Sequence, residues 1–208
     1  MSKQKEVVWN AMWKILPENP VILEIGACIG DGVKLFLKKR PGARITAVEA
    51  SIDNFGALIN NVPEDVRCVH AAVGFNGFTT IAQHDEPVSH TCYRRAAKHK
   101  SGSIREYTVP GCRLGSLIDG PVDLLRIDCY GGEYKIFPDD QDAMKKVRLL
   151  VLTMHVKPPP FTTGKFVKKR ENIMLALTKR MKFVVGGKPS KGCSKHIHQL
   201  WRNRNAVV

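Results

Sequence analysis

Apolar residues at Val7, Val8, Ala11, Met12, Ile15 and Leu16 recur at spacings of three and four until Pro17. This predicts a leading helix over Lys3 to Leu16, packed beside the first strand. After Pro20 the pattern becomes an unbroken apolar run, Val21-Ile-Leu-Glu-Ile25, that turns at Gly26, passes Gly30 and Gly32, and enters Val33 to Lys39 with helical spacing. Strand, tight glycine turn and helix is the opening of a nucleotide-binding α/β unit. A second apolar run, Arg44 to Val48, ends on Glu49; Asn54 to Asn61 reads as a helix stopped by Pro63, and Val66 to Val73 as a third strand.

From Gly74 to Pro110 the pattern weakens, with short strands expected at Phe78–Ala82 and Ile104–Val109 around a basic, Gly/Ser-containing loop. Regular patterning then resumes. Leu114 to Ile118 predicts a short helix, Val122 to Asp128 a buried strand ending on an acid, Gly131-Gly132 a turn into a helix from about Glu133, and Val147 to His155 the next strand. Pro158-Pro159-Pro160 excludes helix and central strand there. Val167 to Met181 reads as a basic amphipathic helix, with closing strands at Lys182–Gly186 and His198–Arg202.

Alternating strands and helices followed by two strands imply an α/β fold with a doubly wound, mostly parallel, seven-stranded sheet and an antiparallel strand near its end. One domain over residues 1–208 is expected, with 1–18 as the leading segment, 75–110 as a variable basic insertion and 157–170 as a basic Pro-rich loop. Ligands of such sheets bind beyond the carboxyl ends of the strands, where Gly26, Glu49, Ala72, Asp128 and His155 fall.

The first loop narrows the ligand. Its pattern is G-x-x-x-G-x-G, with Glu24 just before it and Asp31 inside it, unlike the dinucleotide fingerprint or the phosphate loop. Short-chain dehydrogenases share this glycine spacing, but hydride chemistry there needs Tyr-x-x-x-Lys, and none of the four tyrosines has a lysine four residues on. Acids suit a cationic ligand better than a pyrophosphate. S-Adenosylmethionine (SAM) offers a ribose diol for Glu49 and a cationic amino group and sulfonium for the acidic loop; the alternative is a glycine-rich turn that binds nothing. The expected cofactor contacts are Glu24, Gly26, Ala27, Gly30, Glu49, Ala50, Ala72 and Asp128.

Charge adds a second theme. Residues 1–90 carry nine Lys/Arg and ten Asp/Glu, whereas residues 91–208 carry twenty-four and nine, so the net charge of +14 belongs to the second part. Clustered positive charge predicts an anionic partner such as RNA. The six cysteines are scattered without a C-x-x-C pair, which suggests reduced thiols. No apolar run reaches about 18 residues and no signal-type segment follows Lys3 and Lys5, so no membrane partner and a cytoplasmic location are expected. Cys193-Ser-Lys-His196-Ile-His198, with His84, His90 and Cys92, is the only candidate metal cluster; no spacing matches a zinc motif, and no metal is expected.

The motifs Glu24-Ile-Gly-Ala-Cys-Ile-Gly30, Val48-Glu49-Ala50, Ala71-Ala72-Val73-Gly74, Val122-Asp-Leu-Leu-Arg-Ile-Asp128-Cys-Tyr-Gly-Gly-Glu133 and Leu149-Leu-Val-Leu-Thr-Met-His155 resemble, in order, those of the FkbM-type SAM-dependent methyltransferases. The resemblance spans about residues 20–156 and implies a Rossmann-like fold, SAM as donor and usually a hydroxyl acceptor. Asp128, Glu133 and His155 match the family pattern. Tyr130 stands where the family commonly has an acid, Thr153 replaces the acid before Met154-His155, and Cys28 replaces the usual Asn.

Methyl transfer to a hydroxyl needs alignment and removal of a proton. Asp128 and His155 are the candidates to accept or orient that proton, and Lys157 to stabilise the oxyanion or bind a phosphate. RNA ribose 2′-O-methyltransferases often use a Lys-Asp-Lys-Glu set; Lys14, Asp128 and Lys157 fall in that order, but no acid follows Glu171. Arg94, Arg95, Lys98, Lys165, Lys168 and Lys169 are the expected acceptor contacts. Transfer to an RNA ribose 2′-hydroxyl leads, with a sugar or small-molecule hydroxyl, or an inactive SAM-fold RNA-binding subunit, as alternatives.

Overall fold

The computed structural model describes residues 3–84, 104–137, 140, 142–155, 164–187 and 196–205. Helix α1 spans Lys3–Trp13, followed by β1 (Val21–Ile25), α2 (Asp31–Lys39), β2 (Arg44–Glu49), α3 (Ile52–Asn61) and β3 (Arg67–His70). Three strands then leave the main sheet: β4 (Ala72–Val73), β5 (Phe78–His84) and β6 (Ile104–Cys112). A 3-10 turn at Leu114–Leu117 leads to β7 (Val122–Ile127), a one-turn α4 (Glu133–Ile136), a 3-10 turn at Ala143–Lys146, β8 (Val147–His155), α5 (Gly164–Arg180), β9 (Met181–Gly186) and β10 (His196–Asn203).

Seven strands form the main sheet in the order β3-β2-β1-β7-β8-β10-β9. β3, β2, β1, β7 and β8 pair parallel, while β10 is antiparallel to both β8 and β9. The crossover through α5 carries the chain past one vacant position to β9, and β10 returns into it. The expected doubly wound sheet with one reversed strand is therefore present.

Strand alternation divides the core into two layers. Ile22, Leu124, Leu149 and Val151 pack with Val8, Met12, Phe36 and Leu58 under α1, α2 and α3. Leu23, Leu125, Leu150 and Leu152 point the other way, toward Tyr134, Ile136, Ile173 and Leu177 of α4 and α5. Both layers are apolar, as a parallel sheet covered on each face requires. Helix α1 shares a core with Ile22 of β1, but its backbone lies against β9 and β10 rather than beside β1 alone.

Three boundaries differ from the sequence pattern. The run Val66–Val73 is two strands, because Ala71 donates its N–H to the Glu49 carbonyl at the end of β2 and the chain then turns to pair Ala72 and Val73 with Gly111 and Cys112. The helix after Gly132 lasts four residues. The last helix begins at Gly164, so the final part of the expected 157–170 loop is helical and Lys165, Lys168 and Lys169 stand on α5. Among the described residues, Cys28, Cys68, Cys112 and Cys129 are half-buried thiols rather than disulfides, and no helix is long and apolar enough to cross a membrane.

Candidate cofactor and acceptor site

At the carboxyl ends of β1, β2 and β7 a cavity of about 590 Å³ opens, within the range of small-molecule sites. Gly26 forms its inner edge. Its φ of 81° lies in the left-handed region, and a side chain there would collide with the Asp128 carbonyl, so the β1 turn presses directly on the end of β7. Gly30, also left-handed, packs against Leu58 and Val62 and turns the chain into α2 without lining the cavity.

Glu49 closes one end. Its carboxylate is buried, with Oε2 accepting the Cys28 N–H and Oε1 accepting the Ser51 N–H, each at 2.8 Å. Ser51 in turn caps α3 by accepting the Asn54 N–H. Each Glu49 oxygen keeps a further lone pair, so the carboxylate can still hold a vicinal diol. Burial pushes its pKa up, and the backbone N–H groups of Ser51 and Cys28 counter that rise. Ala50, Ala72, Phe75 and Ile81 make an apolar wall beside it, suited to the flat face of a purine. Asp31 and Asp128 add negative charge at the rim, and Ala27 lines the floor. An apolar slot, a carboxylate with lone pairs open to a diol and acids beside them for a cationic group are a donor set that fits SAM.

Below the cavity lies an ion triad. Glu24 and Arg126 occupy facing positions on β1 and β7, and Arg126 Nη1 donates to Glu24 Oε1 while Nη2 donates to Asp128 Oδ2 at 2.7 Å. Glu24 is fully buried beneath Gly32, where a side chain would strike its carboxylate, and it engages Arg126 rather than lining the cavity. The Arg126 guanidinium lies 5.7 Å from the centre of the Trp9 ring, so α1 covers the triad. Burial raises the Asp128 pKa, but Arg126 and then His155 outweigh it and hold the carboxyl below its ordinary value. Asp128 is therefore ionised, and its Oδ1 lies outside the pairing with Arg126.

His155 is almost fully buried at the end of β8. Glu133 Oε1 accepts the His155 N–H at 2.8 Å and lies 3.1 Å from its Nδ1, while Oε2 accepts the Gly131 N–H. Burial pushes the imidazole pKa down, but the Glu133 carboxylate pulls it above the usual value. The ring makes edge contacts with Tyr130 at 4.9 Å and His196 at 4.7 Å, and it does not line the cavity. Tyr130, at the family's acidic position, lines the cavity and has a φ of 36°, a conformation rare for a bulky residue. Thr153, the other departure, bonds to Nδ1 of His198, whose pKa burial lowers to about 4.

The structure thus brings Gly26, Ala27, Glu49, Ala50, Ala72 and Asp128 around one cavity and sets Glu24, Gly30 and His155 behind its lining. Lys165, Lys168 and Lys169 lie apart, on α5. Arg94, Arg95, Lys98 and Lys157 lie outside the described residues, as do His90, Cys92 and Cys193 of the candidate metal cluster. Lys14 is exposed just beyond α1, whereas Lys5 of that helix lines the cavity. Lys5 and Arg126 were not anticipated as site residues. The signal for Arg126 was present: a charge of opposite sign near the end of each of two apolar strands, Glu24 and Arg126, asks for a mutual partner.

Comparison with known proteins agrees with this geometry. No curated protein sequence matches the chain. Among solved structures, an rRNA methylase from Streptococcus thermophilus superposes with a TM-score of 0.58 at 6% identity, covering 98% of both chains. Fibrillarin from Methanococcus jannaschii, a pre-rRNA processing protein, gives 0.54 at 10% identity over 92% of this chain and 70% of its own. A ribosomal protein L11 methylase from Lactobacillus delbrueckii subsp. bulgaricus gives 0.52 at 9% identity over 98% and 79%. These similarities establish a shared fold. The methyltransferase FkbM domain model matches residues 24–184, most of the chain, and takes in the end of β1, the Glu49 turn, the Asp128 block and the end of β8. The chain belongs to the FkbM family of SAM-dependent methyltransferases.

Proposed function

We propose that this methyltransferase acts on a hydroxyl group of an anionic acceptor, and that the acceptor is the ribose 2′-hydroxyl of RNA. The observation that carries the proposal is Asp128, an ionised carboxylate at the rim of the cavity, fixed through one oxygen by the buried Arg126. Bound SAM supplies an electrophilic methyl group on a sulfonium. Glu49 holds the diol end of the cofactor, the Gly26 turn allows close approach, and the apolar wall at Ala72 and Ile81 excludes water. Asp128 Oδ1 accepts a hydrogen bond from the incoming hydroxyl and orients it. Its lowered pKa makes it a weak base, so it aligns the hydroxyl and relieves it of the proton as transfer proceeds, rather than ionising it beforehand.

Two features support an anionic acceptor. Lys5 sits at the cavity wall, and the positive surplus of the chain lies after residue 90. Two neighbours in fold are an rRNA methylase and a pre-rRNA processing protein, while another is a methylase of a ribosomal protein, so the fold serves more than one acceptor class. The charge favours RNA among these.

The test has two stages. Calorimetric titration with S-adenosylhomocysteine should show micromolar binding, weakened roughly 10- to 100-fold in Glu49→Ala by loss of a charged hydrogen-bonding group. Labelled methyl from SAM should then enter RNA and be recovered as 2′-O-methylribose after nuclease digestion, and Asp128→Asn should abolish incorporation while retaining cofactor binding. Recovery of the label on a base, a glycan or a protein would refute the RNA hydroxyl reading.

A further inference from the structure

A second, larger cavity of about 920 Å³ lies on the opposite layer of the sheet, between α5, the 142–146 turn and the end of β10. Taking RNA as the acceptor from the reading above, we propose that this groove binds the phosphate backbone of single-stranded RNA. Helix α5 carries six basic residues and one acid. Lys169, Asn172 and Lys179 line the groove at helical spacings of three and seven, which puts them along one side over roughly 15 Å, and Arg180 lines it beside Lys179. Lys145 and Arg204 line it from across. No carboxylate occurs among its described lining residues; Asp142 pairs with Lys145 at 2.6 Å and offsets that one charge, while Lys169, Lys179, Arg180 and Arg204 keep the groove net positive.

The floor shows which part of a nucleic acid fits. Tyr134 and Phe137 line the groove but are only about 1% exposed, so their rings offer no stacking platform. Base stacking is thereby excluded at these rings, and cationic and amide donors remain for phosphate and sugar. Leu175, 60% exposed, adds a small apolar rim.

One hydrogen bond ties the floor of the groove to the end of β8. Tyr134 lines it and donates its hydroxyl to the His155 carbonyl at 2.7 Å, while the adjacent Glu133 holds His155 from the other side. Tyr134 thus anchors the groove to the carboxyl end of β8, which shares an edge of the sheet with the Asp128 end of β7, and a strand leaving that edge can follow α5 away from it. An acidic peptide fits this line of charge less well. An extended peptide turns alternate side chains away from the helix, whereas every phosphate of a nucleic acid strand carries its charge.

Fluorescence anisotropy of a labelled single-stranded RNA with the full chain reads groove binding without requiring methyl transfer. The parent should bind with an affinity that falls with salt. Lys179→Ala/Arg180→Ala should weaken binding about tenfold or more and reduce the slope of log K against log salt by roughly 1.4, at about 0.7 per phosphate contact. Titration with S-adenosylhomocysteine should be unchanged in this variant, which verifies its fold. Lys38→Ala/Lys39→Ala, on exposed positions of α2, removes the same charge elsewhere and should leave RNA affinity nearly intact.

Equal weakening by the α2 variant, or unchanged affinity and slope in the α5 variant, would overturn the groove assignment. So would polyglutamate that displaces the RNA as well as unlabelled RNA does at equal charge. Methyl incorporation by the parent is measured separately. RNA that is bound through α5 but never methylated refutes the acceptor reading alone, whereas RNA that is methylated regardless of Lys179 and Arg180 refutes the groove alone.

Discussion

Between β1 and β7 the charges of Glu24, Arg126 and Asp128 are inside the protein and paired with one another, whereas at the other end of the sheet α5 displays Lys165, Lys168 and Lys179 on its exposed surface. Both regions handle ions, but by different physics. In the first, low dielectric makes each pairing strong and its geometry strict, so the triad fixes the Asp128 carboxylate at the rim of the cofactor cavity. In the second, water screens each charge, and only their sum along the helix attracts a partner. Stability should therefore depend on the first region, and salt-sensitive binding on the second.

The strongest way to break this contrast is Glu24→Ala, which leaves Arg126 buried with only part of its partnership. Urea denaturation should show a loss of roughly 3–5 kcal/mol, and Glu24→Ala/Arg126→Met should recover much of it by removing the stranded charge. A loss under about 1 kcal/mol in the single variant would mean that the triad does not organise the site.

A smaller effect is expected where the two regions meet, at His155. Its folded pKa is raised by Glu133, so its favourable contribution is fully present below the ordinary imidazole value and is lost as pH rises through the folded value. His155→Gln should cost about 1.5–3 kcal/mol at mildly acidic pH. The gap between parent and variant should then narrow as denaturation is repeated from roughly pH 6 to roughly pH 9. A constant gap would show that His155 contributes by packing alone.

The smallest expected change sharpens the comparison from the other side. Lys179→Ala should alter unfolding free energy by no more than about 0.5 kcal/mol while measurably weakening RNA binding. A large stability loss there would place α5 among the structural charges instead.

The legibility of the chain follows the same division. Strands β1, β2 and β7 are apolar runs bounded by glycine, proline or an acid, β8 is one that follows two lysines and ends on a histidine, and burial on both faces produces such runs wherever it occurs. The position of Glu49 at the cavity was readable because an acid at the end of the second strand stands next to a fixed turn. The break between β3 and β4 was not readable, since Val66–Val73 contains no glycine or proline to mark a turn and only the Ala71 hydrogen bond to Glu49 redirects it. Nor was the role of Glu24: its position before the glycine turn matches a ligand contact equally well, until Arg126 is found opposite it on β7. Left-handed backbone at Cys28 and Tyr130 also carries no signal in residues that usually avoid it.

The sequence by itself determined the order of strands and helices, the glycine turn after β1, the acid at the end of β2 and the concentration of positive charge after residue 90, because each is local or additive along the chain. Only the tertiary structure decided which charges are partners and which remain available to a ligand. Glu24 and Arg126 are 102 residues apart and meet through strand pairing, and Glu133 reaches His155 across 22 residues from a single helical turn. Pair interactions depend on distance in space and on the surrounding dielectric, and neither quantity is written at any one position in the chain.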